Sequence, residues 1–328
     1  MSVRNPEPAA VRRSVPFYLV ALGFLCGAGV AAQSRINGQL GAALHDGFAA
    51  ALISFCGGLL IVLVALAFLP KGRSGVRRLA SAVRNREIPP WYLIGGACGA
   101  LIVLSQGLTA AILGVALFSV GIVAGQTVGG IVVDRRGMGT MSARPLTARR
   151  IVGSALALAA VALAGSTEIG SSVTIWVVVL PFIAGGVQAF QQAVNGQVRS
   201  ASESTATTTL LNFVTGATVL AVAFVIHSSI AGWPIHFPPQ PWLYLGGVLG
   251  ATFIAVSASI VRAMGVLLLS LATIAGQLVV ALLLDIVAPT SRNGVTAFTV
   301  VGTCLTLVAV AIAALPRRTT ARRTTATK

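Results

Sequence analysis

Long apolar runs of about 20 residues, separated by short polar or basic segments, set the pattern of this chain. Ten such runs are legible, starting near Phe17, Phe48, Trp91, Val115, Ile151, Val173, Thr207, Trp242, Gly265 and Val295. None alternates apolar and polar residues with period two, which excludes a membrane barrel. Each run therefore predicts a spanning helix, the form that satisfies its own backbone polar groups in hydrocarbon. The expected fold class is an all-α integral membrane protein of ten transmembrane helices, with short connections.

The polar residues inside those runs are not scattered. Gln33-Ser-Arg-Ile-Asn37-Gly38-Gln39 returns as Gln191-Gln-Ala-Val-Asn195-Gly196-Gln197, a shift of 158 that also carries Phe55 onto Phe213 and Gly58 onto Gly216. A second shift, 151, carries Trp91, Gly95, Gly96 and Gly99 onto Trp242, Gly246, Gly247 and Gly250. It further places Gly125-Gln126 on Gly276-Gln277 and Asp134 on Asp285. The chain is thus an internal duplication. A cytoplasmic N-terminal tail (1–15) precedes a first repeat (16–168); a second repeat (169–315) is followed by a basic disordered tail (316–328). Five spans per repeat is odd, so the second copy enters the membrane inverted, as in transporters whose halves exchange conformations about a central site.

Composition and charge sharpen this. Only 9% of residues are charged and 56% are hydrophobic, with a mean hydropathy of +0.91. A soluble domain carries roughly a quarter charged residues. The net charge of +16 would suit nucleic acid on a soluble surface, but the bases sit between apolar runs and nucleic acid is excluded. With the N-terminus in the cytoplasm, 21 of the 23 basic residues fall on the cytoplasmic side, leaving Arg35 and Arg292 outside. The positive-inside rule then places both termini in the cytoplasm. A cleaved signal peptide is rejected for the first run, because its near-copy recurs mid-chain. Cys26, Cys56, Cys98 and Cys304 each fall within a run and read as packing residues.

The run GAGVAAQSRINGQLG (residues 27–41), followed by AALISFCGGLL, resembles the signature of the YdcZ-like family within the drug/metabolite transporter superfamily. The resemblance covers roughly residues 15–315 in the fused ten-span form. It implies a bacterial inner-membrane secondary transporter, an exporter, with no established common substrate. Related small multidrug exporters carry a glutamate in their first helix; here the first and sixth spans hold no carboxylate, so that coupling device does not transfer.

Gln33 and Asn37 are four residues apart and share a helix face, as do Gln191 and Asn195. Amides in hydrocarbon must face the bundle interior. They read either as a site of neutral donors and acceptors for a small-molecule substrate, or as hydrogen bonds that lock helix packing. Asn212, whose equivalent is Ser54, joins the candidate site; Gln126 and Gln277 read as packing. Arg35 is expected to snorkel to outer-leaflet phosphate, the alternatives being attraction of an anionic substrate or closure of a gate. Asp285 has few partners in sequence and is a candidate for coupling to a proton or other ion. Gly95/Gly99 and Gly246/Gly250 allow helices to approach, within the chain or in a homo-oligomer. Trp91 and Trp242 read as interface anchors.

No phosphate-binding loop, nucleophile set or metal motif is present, so no enzyme activity and no cofactor are expected. Besides a transporter of a small metabolite or drug-like molecule working by alternating access, two readings stay open. They are a flippase for a lipid-linked substrate, which needs membrane lipid as partner, and a non-transport membrane scaffold.

Overall fold

The structure is a computed structural model that describes residues 16–136, 148–166, 175–233, 236–264, 266–289 and 294–314. Both tails and Arg292 lie outside the described residues. The described chain forms eleven α-helices. The first repeat supplies α1 (Phe17–Leu44), α2 (Gly47–Phe68), α3 (Pro70–Arg84), α4 (Gly95–Leu113), α5 (Val115–Arg136) and α6 (Ala148–Gly165). The second supplies α7 (Trp176–Ser202), α8 (Thr205–Ala231), α9 (Gly246–Met264), α10 (Val266–Val287) and α11 (Ala297–Ala314). Seven spans among these are long and apolar enough to cross a membrane: α1, α2, Pro90–Leu113, α5, α7, α8 and Leu268–Val287. Three apolar stretches are shorter: Ile151–Gly165, Gly246–Ser257 and Ala297–Ile312.

The two sequence shifts hold for the helix ends. A shift of 158 carries the end of α1 onto that of α7, and 151 carries both ends of α4 and α5 onto those of α9 and α10. The turns repeat as well. His45 and Glu203, at equivalent positions, both take the left-handed conformation with φ of 53° and 51°. Each is followed by a capping side chain. Asp46 accepts hydrogen bonds from the Phe48 and Ala49 N–H groups at 2.8 and 3.1 Å, and Ser204 accepts from Thr207 N–H at 3.2 Å. These caps satisfy donors that a helix start leaves open.

Packing follows the same pseudo-twofold. Besides α6 with α11, the most extensive helix contacts are α1 with α10 and α7 with α5, which are equivalent pairs, as are α1 with α9 and α7 with α4. Glycine permits them: a Cβ on Gly27 would lie 1.9 Å from the Thr273 carbonyl oxygen, and one on Gly185 would lie 2.0 Å from that of Ile122. Where α2 meets α8, Phe55 and Phe213 pack with ring centres 5.3 Å apart, each seated on the glycine (Gly216 or Gly58) of the opposite helix. The end of α4 packs on the end of α1, through Gly107 and Gly41, while its start packs on the end of α7, through Gly95 and Asn195. The ends of α1 and α7 therefore lie on opposite faces of the bundle. We call the face where α1 begins the near face and the other the far face.

The helix α3 breaks the symmetry. It starts with Pro70 in its first turn and buries Leu79 and Ala82 against Val194 and Val198 of α7. Its sequence is a basic segment, and the long-run pattern gives no sign of a helix there. No helix is seen in the equivalent segment, 232–240, among the described residues.

Candidate functional site

Two amide clusters, related by the pseudo-twofold, lie along α1 and α7. Near the end of α7, Gln191 Nε2 donates to Asn212 Oδ1 at 3.0 Å, and Asn212 Nδ2 donates to Asn195 Oδ1 at 2.9 Å and to the Thr208 carbonyl at 2.8 Å. The glycines of α4 receive these side chains: a Cβ on Gly95 would lie 2.6 Å from Asn195 Oδ1, and one on Gly99 would lie 2.8 Å from Gln191 Nε2. The Gly-xxx-Gly stripe therefore faces amides, not only another helix backbone. All three residues expected from the second repeat, Gln191, Asn195 and Asn212, are brought together.

The first repeat arranges its counterparts differently. Gln33 and Asn37 face Gly250 and Gly246 of α9, and a Cβ on Gly246 would lie 2.0 Å from Asn37 Oδ1. Yet Asn37 Nδ2 donates to Gln106 Oε1 of α4 at 2.7 Å, and Gln106 Nε2 donates to Ser34 Oγ at 3.1 Å. Asn37 Oδ1 is buried and accepts no hydrogen bond. Sequence reasoning missed Gln106, although a lone amide in an apolar run is itself a signal.

This chain of bonds belongs to a closure present on one face only. On the far face α1 packs along α4, with Gly38 against Ala110 and Gly41 against Gly107. A Cβ on Gly38 would lie 2.9 Å from Ala110 Cβ; its equivalent, Gly196, is exposed and has nothing within 4 Å. Ser34 is fully buried, whereas its equivalent Gln192 is exposed. Among the described residues, α7 and α9 make no contact comparable to that of α1 and α4. The far face is sealed and the near face is parted.

Arg35 and Asp285 meet on this same face. Arg35 does not snorkel to lipid phosphate. Its Nη1 donates to the Leu284 carbonyl at 3.1 Å, its Nη2 donates to the Ala288 carbonyl, and Asp285 Oδ1 lies 3.7 Å away. The physical reason is that the end of α10 offers backbone carbonyls and a buried carboxylate within reach of the guanidinium. Asp285 Oδ2 in turn accepts from Ala116 N–H at 2.7 Å, at the start of α5. Three helices from both repeats are joined here. The equivalent of Arg35 is Ala193, so α7 has no cation at the matching position.

Gln126 Nε2 donates to Gln188 Oε1 between α5 and α7, a packing bond. Beside it, an apolar groove of about 270 Å³ runs along the two helices, past Val128, Gly129, Val132 and Ile183, with Arg136 at its end. Trp91 stacks on Phe190 with ring centres 6.0 Å apart. Cys26 and Cys98 are buried, while Cys56 and Cys304 are exposed on the surface of the bundle. His227 stacks on Phe48 at the far face, 3.9 Å from Asp46. Among the described residues, His, Cys, Asp and Glu form no group of three that could hold a metal ion.

Apolar helices of spanning length, a duplicated chain and amides facing the bundle interior define a multi-pass membrane protein of transporter type. The chain belongs to the family described as "Putative inner membrane exporter, YdcZ", whose profile matches residues 18–163 and 176–312. It is therefore a multi-pass inner-membrane protein of a transporter family. No curated protein matches it. A solved structure titled only "Crystal structure of protein" is similar to it, with 19% identity and a TM-score of 0.51, covering 90% of this chain and 95% of that one. That likeness bears on the fold alone.

Proposed function

We propose that the chain is a secondary transporter, an exporter, that moves a small metabolite or drug-like molecule by alternating access between two inverted five-helix repeats. The helices α6, α9 and α11, of 18, 19 and 18 residues, reach about 27–28 Å, close to the ~30 Å hydrocarbon core. With the seven longer spans they make ten. The near face carries the basic segment around α3 and is the cytoplasmic side, with both termini.

The observation that carries the proposal is the unequal closure of equivalent contacts: Gly38 is sealed under Ala110 and Gly196 lies open. One sequence motif thus occupies two environments in one molecule. In this reading, exchanging them between the halves converts an inward-open form into an outward-open form. The cargo site is formed by Gln33, Asn37, Gln191, Asn195 and Asn212 at the crossing of α1 and α7 with α9 and α4. It offers neutral donors and acceptors, among them the unpaired Asn37 Oδ1, and suits a neutral polar group. Arg35 and Asp285 serve as the outer gate.

A thermal-shift screen of the purified protein against polar metabolites and cationic drugs tests the site. A compound that stabilises the protein, but no longer does so with Gln33→Ala and Asn195→Ala combined, identifies the cargo class. Stabilisation that survives both substitutions in a folded protein contradicts the assignment. The groove between α5 and α7, apolar and ending on Arg136, favours a second reading, a lipid-linked substrate. For that cargo, Gly129→Leu would abolish the stabilisation.

A further inference from the structure

We infer that α3 is a docking surface for anionic lipid headgroups of the cytoplasmic leaflet, and that lipid held there keeps the inner end of α7 away from α9. The second half rests on the alternating-access reading; the first does not.

The helix α3 is welded to the α7–α8 turn. Thr207 Oγ1 donates to the Gly72 carbonyl at 3.0 Å, and a Cβ on Gly75 would lie 2.4 Å from Thr207 Oγ1 and 2.6 Å from Ser204 Cβ. Leu79 and Ala82 pack on Val194 and Val198, and Arg78 pairs with Glu203 at the turn itself. The opposite face is basic. Arg77 lies two residues before Leu79, and Arg84 two residues after Ala82. Each is thus about 160° round the helix from the buried side. Arg77, Arg84 and Arg86 are exposed. The segment from 70 to 88 holds six basic residues and one acid, Glu87. It begins directly after α2 leaves the membrane, where anionic headgroups lie.

The geometry also couples this face to the gate. Val194 and Val198, which hold α3, stand two residues either side of Gly196. They therefore occupy the side of α7 about 160° from the glycine that faces the parted space. A pull on α3 toward the bilayer draws α7 away from α9. The far face has no such arm, since segment 232–240 contains neither Lys nor Arg.

The test uses the full chain, in a cysteine-free background, in vesicles of phosphatidylcholine alone or mixed with phosphatidylglycerol. Two readouts are taken: hydrogen exchange of the α3 amides, and the distance between spin labels at Ser200→Cys on α7 and Ser259→Cys on α9. Phosphatidylglycerol is expected to slow α3 exchange and enrich the longer distance. Each basic residue near an anionic surface contributes roughly fivefold to partitioning. Arg77→Gln, Arg84→Gln and Arg86→Gln together should then weaken the response on the order of a hundredfold, while the Lys versions retain it. High salt acts like the Gln variant. Unchanged α3 exchange overturns the lipid contact. Slowed exchange with an unaltered mixture of two distances overturns the coupling and leaves alternating access standing. A single fixed distance in every lipid overturns both the coupling and the transport reading, and the lipid contact is then judged on exchange alone.

Discussion

Removing Arg35 should open the far face. In the sealed form its side chain is only 12% exposed, and it serves two carbonyls at and just past the end of α10 besides Asp285, itself 6% exposed. Arg35→Ala leaves that carboxylate buried with only backbone N–H groups at the start of α5 as partners, chiefly that of Ala116. Breaking a buried ion pair by deleting one member costs about 3–5 kcal/mol, and the retained Ala116 bond argues for the lower end, about 3 kcal/mol. In the outward-open form water reaches the site and most of this penalty vanishes. The inward-to-outward ratio should therefore shift by roughly a hundredfold. Asp285→Ala alone leaves Arg35 with its two carbonyls and should shift the ratio by only about tenfold. Adding Asp285→Asn to Arg35→Ala should recover part of the loss.

Ser34 is the reporter. It is fully buried at the α1–α4 contact, while its equivalent Gln192 is exposed. In a cysteine-free protein, Ser34→Cys should resist a membrane-impermeant maleimide applied from outside. Adding Arg35→Ala should make it react quickly. Continued protection of Ser34→Cys in a folded Arg35→Ala protein would refute the latch.

Other expectations follow from the same contacts. Gly185→Ala pushes a methyl to 2.0 Å from the Ile122 carbonyl oxygen and should part α5 from α7, costing about 1–3 kcal/mol or more, read as a lower melting temperature in detergent. Asp46→Ala removes the cap of α2 and should cost about 1 kcal/mol, visible as faster amide exchange at Phe48 and Ala49. Gln106→Ala frees Asn37 and Ser34; it should raise the reactivity of Ser34→Cys from outside, less than Arg35→Ala does. Unchanged reactivity there would show that the amide chain does not hold the far seal.

The sequence made the repeat visible because residues rare in hydrocarbon recur at fixed offsets, and those offsets carry helix ends and glycine contacts alike. Gln191 and Asn195 were legible for the same reason, whereas Asn212, whose equivalent is Ser54, carries no such mark. Arg35 and Asp285 were not, since 250 positions separate them and nothing local says that the end of α10 lies beside α1. The helix α3 was hidden in a basic segment, where its few apolar positions make sense only against Val194 and Val198. Unequal closure cannot be written in a duplicated motif at all: Gly38 and Gly196 are one letter in one context, and conformation alone distinguishes them. Sequence does limit how alike the two closures can be. Gly41, which lets α1 meet Gly107, is replaced in α7 by Arg199, so the inner seal must be wider than the outer.

That inner seal is the central claim, and it can be caught. Ser34 and Gln106, bonded on the far face, correspond to Gln192 and Ser257 on the near face. In a cysteine-free protein in membranes, Gln192→Cys and Ser257→Cys should be bridged by a short bifunctional thiol reagent, slowly in the native background and faster with Arg35→Ala. No bridge in either background, while each cysteine alone still reacts with a monofunctional reagent, would contradict the exchange of the two halves.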